Sequence, residues 1–172
     1  MRKLLFLRHA KSSWKEPILD DFDRPLAPRG RKAAPKMASY MRKKLLAPEL
    51  VLCSRARRAV ETWELASKKL RFDGQIYFSQ SLYHAEPNEI IAAIRQVPDN
   101  IACVLMIGHN PGMEDAAMAL SGPGSRPSAK EKLETKFPTA ALAEIEFELP
   151  GWPDIGWGLG RLVRLTYPRD LA

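Results

Sequence analysis

The chain has 172 residues, of which 45% are hydrophobic and 27% charged, the composition of an ordinary globular domain large enough to bury a core. No apolar run approaches the roughly 18 residues of a membrane span, and the N-terminal LLFL is too short and too soon followed by charge for a signal peptide. A soluble, cytoplasmic protein is expected, and its net charge of +7 points to anionic partners: nucleic acid, phosphorylated small molecules or a phosphoprotein.

KLLFL (residues 3–7) is a short continuous apolar run, the pattern of a strand covered on both faces. It runs directly into Arg8-His9 and then Lys11, Ser12 and Ser13. Residues 28–46 predict a helix with Ala33, Ala34, Met37, Met41 and Leu45 on one stripe, bent near Pro35. ELVLC (49–53) predicts a second strand, with Ser54 as N-cap of a helix over 55–69. GQIYFSQ (74–80) gives a third strand, and Pro87 opens a helix to about residue 96 that turns Ile90, Ile91 and Ile94 inward. IACVLMIG (101–108) is the strongest strand signal. Asn110-Pro111 then caps and starts a helix with Glu114 and Asp115 near its N-terminus, where the helix dipole favours carboxylates. Residues 121–138 are turn-rich and charged and read as a long loop holding at most a short helix. ALAEIEFEL (141–149) alternates as a half-exposed strand should, and RLVRLTY (161–167) pairs with it.

Strand–helix alternation through residue 120 argues an α/β fold, a three-layer αβα sandwich around a mostly parallel sheet. The last two strands, with no helix between them, add an antiparallel C-terminal edge. No repeat or linker divides residues 1–172, so a single domain is expected. Cys53 and Cys103 lie in apolar strand-like runs without metal-ligand spacing and read as buried free thiols.

In open α/β sheets, sites gather at the carboxyl ends of the strands. Three predicted strand ends carry chemistry here: Arg8-His9, Ser54 followed by Arg55, Arg57 and Arg58, and Gly108-His109-Asn110. A fourth segment, SLYHAEP (81–87), holds His84 and Glu86. The chain has only three histidines, and all three fall on this one face. Taken singly, each is bland: a strand-end histidine is usually a satisfied surface side chain, SRARR a solvated helix face with Glu61 as an exposed partner, and GHNPG a turn. Their joint placement is not bland. Two guanidiniums can grip a tetrahedral phosphoryl group, neighbouring positive charge keeps a histidine nitrogen unprotonated, and a second histidine can donate to phosphoryl oxygens. Arg58 suits this geometry one turn into its helix, while spacing leaves Arg55 and Arg57 as alternatives. No glycine-rich nucleotide loop is present, and neither cysteine has the setting of a nucleophile.

These residues match a known pattern. RHAKSSW resembles the R-H-G motif of the histidine phosphatase (phosphoglycerate mutase-like) superfamily, with Ala10 in place of the usual glycine. RPLAPRG (24–30) is similar to its L-T-x-x-G element, SRARRAVET (54–62) to its S-x-x-x-R-A-x-x-T helix start, IGHNPGMED (107–115) to its second-histidine motif, and FPTAALAEIEF (137–147) to the following P-T strand. The motifs come in the family's order and cover most of the chain; the short length, RHAKSSW and LYHAEP resemble its SixA-type branch of phosphohistidine phosphatases. The resemblance implies that His9 is the nucleophile and is transiently phosphorylated, that Arg8, Arg58 and His109 complete the phosphate pocket, and that Ser12 is a secondary phosphate contact. It implies no metal or cofactor. The family's acid is commonly a glutamate in L-x-E; here LYH places His84 there, so His84, Glu86 or neither protonates the leaving group.

About a dozen residues separate the second helix from LYHAEP, too few for the helical insertion that roofs the pocket in small-molecule members. A minimal form without a lid subdomain is therefore expected, open to a phosphorylated protein such as a phosphohistidine phosphotransfer domain of a bacterial phosphorelay. A small phosphate ester is the alternative substrate, and a non-catalytic phosphate-binding regulator the alternative of another class. Nucleic acid is not an expected partner, since no binding motif appears and aromatics are not interleaved with the basic runs.

Overall fold

The computed structural model describes all residues, 1–172. Its centre is a six-stranded sheet of β1 (Arg2–Arg8), β2 (Leu50–Ser54), β3 (Gln75–Ser79), β4 (Cys103–Gly108), β5 (Leu142–Phe147) and β6 (Arg161–Thr166), in the order β3-β2-β4-β1-β5-β6. The pairings among β1 to β4 are parallel, and β5 runs antiparallel to both its neighbours. Helices α1 (Pro28–Lys43) and α2 (Arg57–Leu70) pack on one face; α3 (Pro87–Arg95), α4 (Gly112–Leu120) and α5 (Pro127–Thr135) pack on the other. The expected three-layer α/β architecture is present. No helix is long and apolar enough to cross a membrane.

The apolar run of β1 follows from its central position. Leu5 and Leu7 point toward Met37, Met41 and Trp63, while Leu4 and Phe6 join Ile90, Met113 and Phe137 on the opposite side. All four side chains are fully buried, each stabilising the fold by roughly 1.5–3 kcal/mol. The connections leaving β1 and β2 run through α1 and α2 on one face, whereas α4, leaving β4, lies on the other. Because β4 sits between β1 and β2, the chain diverges there and opens a crevice at the strands' carboxyl ends.

Four local expectations need correction. Helix α1 stops at Lys43, and Leu45 takes a left-handed conformation (φ 58°) that breaks the period, so Leu45 is exposed and Leu46 is buried instead. Ser54 is the last residue of β2, not the cap of α2; Ala56 holds the N-cap position, and Ser54 Oγ accepts the Ala56 N–H at 3.2 Å. Pro111 precedes α4 at its N-cap, so that helix begins at Gly112. Strand β5 is not half exposed: wedged between β1 and β6, it buries even Glu144 beneath Arg164, whose guanidinium is fixed by the Tyr40 hydroxyl. Burial pushes the Glu144 carboxyl above its ordinary value against the opposing pull of Arg164 and Lys3.

Within 121–138, α5 forms because Ala129 and Leu133 reach the core. Between α2 and α3 the chain holds only β3 and a single 3-10 turn (Gln80–Leu82), so no inserted helix covers the crevice. Cys53 and Cys103 are both unpaired, the first fully buried and the second partly so.

Candidate active site

Strand register brings the two strand-end histidines together. Arg8 lies opposite Gly108 in the β1/β4 ladder, and the His9 N–H donates to the Gly108 carbonyl at 3.0 Å. His9 and His109 therefore leave the sheet side by side, with ring centroids 5.1 Å apart. On the far side of β4, strand β2 ends at Ser54, whose hydroxyl lies 2.7 Å from His109 Nε2. Arg58 is the second residue of α2 and leans toward the helix N-terminus, where its Nε–H donates to His9 Nε2 at 3.4 Å.

The protonation pattern of His9 follows from its contacts. Nδ1 lies 2.8 Å from the Ala10 carbonyl, which can only accept, so the ring proton sits on Nδ1 and Nε2 keeps its lone pair. Burial pulls the His9 pKa down to about 3, assisted by Arg58, Arg8 and Arg24 and opposed by the Ala10 hydrogen bond. Burial likewise lowers that of His109, with the nearby His9 and Arg58 adding to the effect. Both imidazoles are neutral at physiological pH. Arg8 donates through Nη1 to the Phe137 carbonyl at 3.1 Å, while its buried Nε and His109 Nδ1 have no partner. A buried donor left unpaired costs roughly 1–3 kcal/mol, so a bound oxyanion would relieve this corner of the site.

Ala10, where a glycine is usual, does not have a positive φ, so the position does not require glycine. Its N–H donates to Thr62 Oγ1 at 3.0 Å, and Thr62 in turn donates to the Arg58 carbonyl at 2.7 Å. Thr62 thus ties the loop after β1 to the first turn of α2. Gly30 admits the same loop: a Cβ there would lie 2.2 Å from the Lys11 carbonyl.

The other sequence candidates separate cleanly. Arg55 turns to the Phe78 carbonyl and Arg57 pairs with Glu61, leaving Arg58 as the arginine of the α2 start that enters the site. Glu61 is not a plain solvated partner, since it also accepts the Leu26 N–H at 2.8 Å. His84 lies over the site with its ring 5.5 Å from His109, in a left-handed conformation (φ 54°). Glu86 instead caps α3 in a reciprocal box with Glu89. Ser12 is buried and its hydroxyl accepts from Arg24 Nη2 at 2.5 Å.

The structure adds a residue that sequence reasoning missed. Asp21 accepts from Arg58 Nη2 at 3.0 Å, from the Tyr83 hydroxyl at 2.5 Å and from Arg24 Nη1 at 2.9 Å, and His84 Nε2 lies 3.2 Å away. Burial pushes its carboxyl upward, but the hydrogen bonds from Tyr83, Arg24 and Arg58 outweigh this and hold it below the ordinary carboxylate range. Asp21 is thus a fixed anion at the rim of a cationic pocket. The one available signal was the acid-rich DDFD ahead of RPL, but it has no periodicity that would single out the second aspartate.

Residues 4–82 match the model of the histidine phosphatase superfamily (branch 1). The chain belongs to the histidine phosphatase superfamily. Uncharacterized protein Rv1276c of Mycobacterium tuberculosis is 36% identical over 164 residues, covering 95% of this chain and 100% of that protein. Among solved structures, SixA of Nakamurella multipartitia, a candidate phosphohistidine phosphatase, superimposes with a TM-score of 0.84 at 27% identity, covering 97% of this chain and 96% of that one. A second SixA candidate, from Agrobacterium tumefaciens, gives 0.82 at 26% identity, covering 97% and 98% of the two chains. The chain is accordingly a histidine phosphatase of the SixA-like branch, a hydrolase of the phosphatase type.

Proposed function

We propose that the chain is a metal-independent phosphatase that works through a phosphohistidine on His9 and removes phosphoryl groups from phosphohistidine in a protein of a bacterial phosphorelay. The observation that carries this reading is the state of His9: Nδ1–H is committed to the Ala10 carbonyl, and the bare Nε2 faces Arg58. A neutral imidazole fixed in one tautomer is a ready nucleophile.

In the first step His9 Nε2 attacks phosphorus, the phosphorus–nitrogen bond of the substrate breaks, and its electron pair returns to the departing imidazole, which takes up a proton. In the second, water attacks phosphorus, the bond to Nε2 breaks, and inorganic phosphate leaves. Arg8 and Arg58 stabilise the charge shared among the phosphoryl oxygens in both steps. A Ser54 hydroxyl donating to His109 Nε2 places that ring's proton on Nδ1, the nitrogen free to donate to a phosphoryl oxygen. Asp21 orients Arg58 and holds His84 over the pocket, where His84 is the better placed of the two candidate acids because Glu86 is engaged at the helix cap. Ser12, through Arg24, steadies the same corner.

The lack of an inserted helix over the strand ends and the similarity to SixA proteins support a phosphoprotein over a metabolite. The test compares a phosphohistidine-bearing protein with a phosphate monoester under EDTA. Turnover of the phosphoprotein should be the faster by kcat/KM and vanish in His9→Ala; a strong preference for small esters or an absolute metal requirement would reject the reading. For the acid, His84→Ala should slow substrates with poor leaving groups roughly 10²- to 10⁴-fold and spare those with good ones, whereas Glu86→Ala should spare both.

A further inference from the structure

A concave region lined in part by the loop after β1 takes no part in the chemistry above. It encloses about 450 Å³ and is lined by Lys11, Arg29, Lys32, Lys36, Lys136 and Arg169, with no carboxylate among its walls. Of these six cations only Arg169 has an acidic partner within 4 Å, its chain neighbour Asp170 at 3.9 Å. Arg29, Lys32 and Lys36 are spaced three and four residues apart on α1, so they form one exposed stripe of like charge, an arrangement that weakens a helix in isolation. Several other exposed cations do have such partners, Lys132 with Asp170, Arg161 with Glu146 and Arg57 with Glu61. In the cleft six cations line one concavity with a single acidic neighbour among them.

Its walls are continuous with the reaction centre. Lys11 lies two residues beyond His9, and the opposite wall, 136–139, leads into Ala140, whose N–H is shared between the Arg8 and His9 carbonyls at 3.0 and 3.1 Å. A chain bound there would lie beside the loop that carries the nucleophile. The side chains are chiefly lysines, mobile point charges rather than the rigid forks that grip a single phosphate. Such a lining fits several carboxylates spread along a segment, not one compact group.

We propose that this cleft is a docking site for an acidic, aspartate- and glutamate-bearing segment of the phosphoprotein substrate, next to its phosphorylated residue. The proposal rests on the substrate reading given above. Contacts of this kind act through electrostatic attraction and are sensitive to salt.

The experiment has two arms. In the first, a fluorescein-labelled peptide of alternating Glu and Ser is titrated with the wild type, with Lys32→Glu/Lys36→Glu, and with Lys68→Glu/Lys69→Glu, a control on exposed lysines of α2. The wild type and the control should bind with an affinity that falls as salt rises, and the cleft variant should bind about tenfold more weakly or worse. Equal binding by all three proteins overturns the cleft. So does a single-stranded oligonucleotide that binds more tightly than the peptide and is lost in the same variant. In the second arm, the cleft variant should lose about tenfold in kcat/KM on a phosphohistidine protein, through KM, with hydrolysis of free phosphoramidate unchanged. Loss of both activities would mark the lysines as structural and overturn the proposal. A wild type that binds the peptide yet dephosphorylates no phosphohistidine protein would reject the substrate reading itself, a result distinct from failure of the cleft in the first arm.

Discussion

His9 shows how burial and hydrogen bonding set a nucleophile. Unfolded, its imidazole titrates near the ordinary 6.5; folded, its pKa falls to about 3. Between these values the unfolded state binds more protons, so stability is full above pH 6.5 and declines as pH drops. Acidification from pH 7 to 5 should cost roughly 2 kcal/mol through this residue, and His9→Gln should remove that part of the pH dependence. Urea unfolding of both proteins at the two pH values checks this; parallel losses would show that His9 carries no such shift. Thr62 offers a companion test. Thr62→Val leaves the Ala10 N–H without its acceptor and should destabilise the protein by about 1–3 kcal/mol and slow turnover, while Thr62→Ser restores both. These two residues differ in legibility. His9 could be read because histidine is rare in this chain and sits at a strand end; Thr62 was marked only as the last position of the SRARRAVET resemblance, and its bond to Ala10 depends on a loop folding back over 52 residues.

At the scale of elements, close backbone approach decides where side chains are forbidden. A Cβ on Gly112 would stand 1.8 Å from the Ala85 carbonyl, so α4 could not keep its place against the turn before α3. Gly112→Ala should therefore lower stability by roughly 2 kcal/mol or more and displace His109, whereas Gly124→Ala, with nothing nearer than 3.7 Å, should stay within about 0.5 kcal/mol. Leu45 gives the opposite case: exposed and left-handed after α1, it should stabilise the fold by about 1 kcal/mol when replaced by glycine. Thermal midpoints of the three variants report all of these. Elements with a continuous apolar run or a clean helical stripe, β1, β4 and α3, could be located from sequence alone. The ends of α1 and α2 could not, because a left-handed turn at Leu45 and the bend at Arg55–Ala56 are decided by tertiary contacts. The burial of β5 was hidden for a related reason: Glu144 and Glu146 alternate with apolar residues as on a solvated strand, yet Arg164, Arg161 and Lys3 cover them from outside the segment.

At the scale of the whole molecule, the site is a product of topology. Arg8 and His9 at the end of β1, Arg58 on α2 and His109 after β4 come from three elements, and they meet because β4 inserts between β1 and β2 at the point where the helices change face. The resemblance to the family made those four residues legible together. Asp21 stayed hidden because it lies in a single 3-10 turn (Asp21–Asp23) before α1, where only the folded chain shows it beneath Arg58, Tyr83 and His84. The mechanism depends most on the identity of the atom that takes the phosphoryl group. Rapid quenching of the enzyme during turnover, alkaline digestion and separation of the phosphohistidine isomers would measure it directly. Because Nδ1 of His9 is held by the Ala10 carbonyl, the label should be on Nε2 of His9 and absent from His9→Ala; label on Nδ1, on His109, or on no histidine at all would contradict the mechanism.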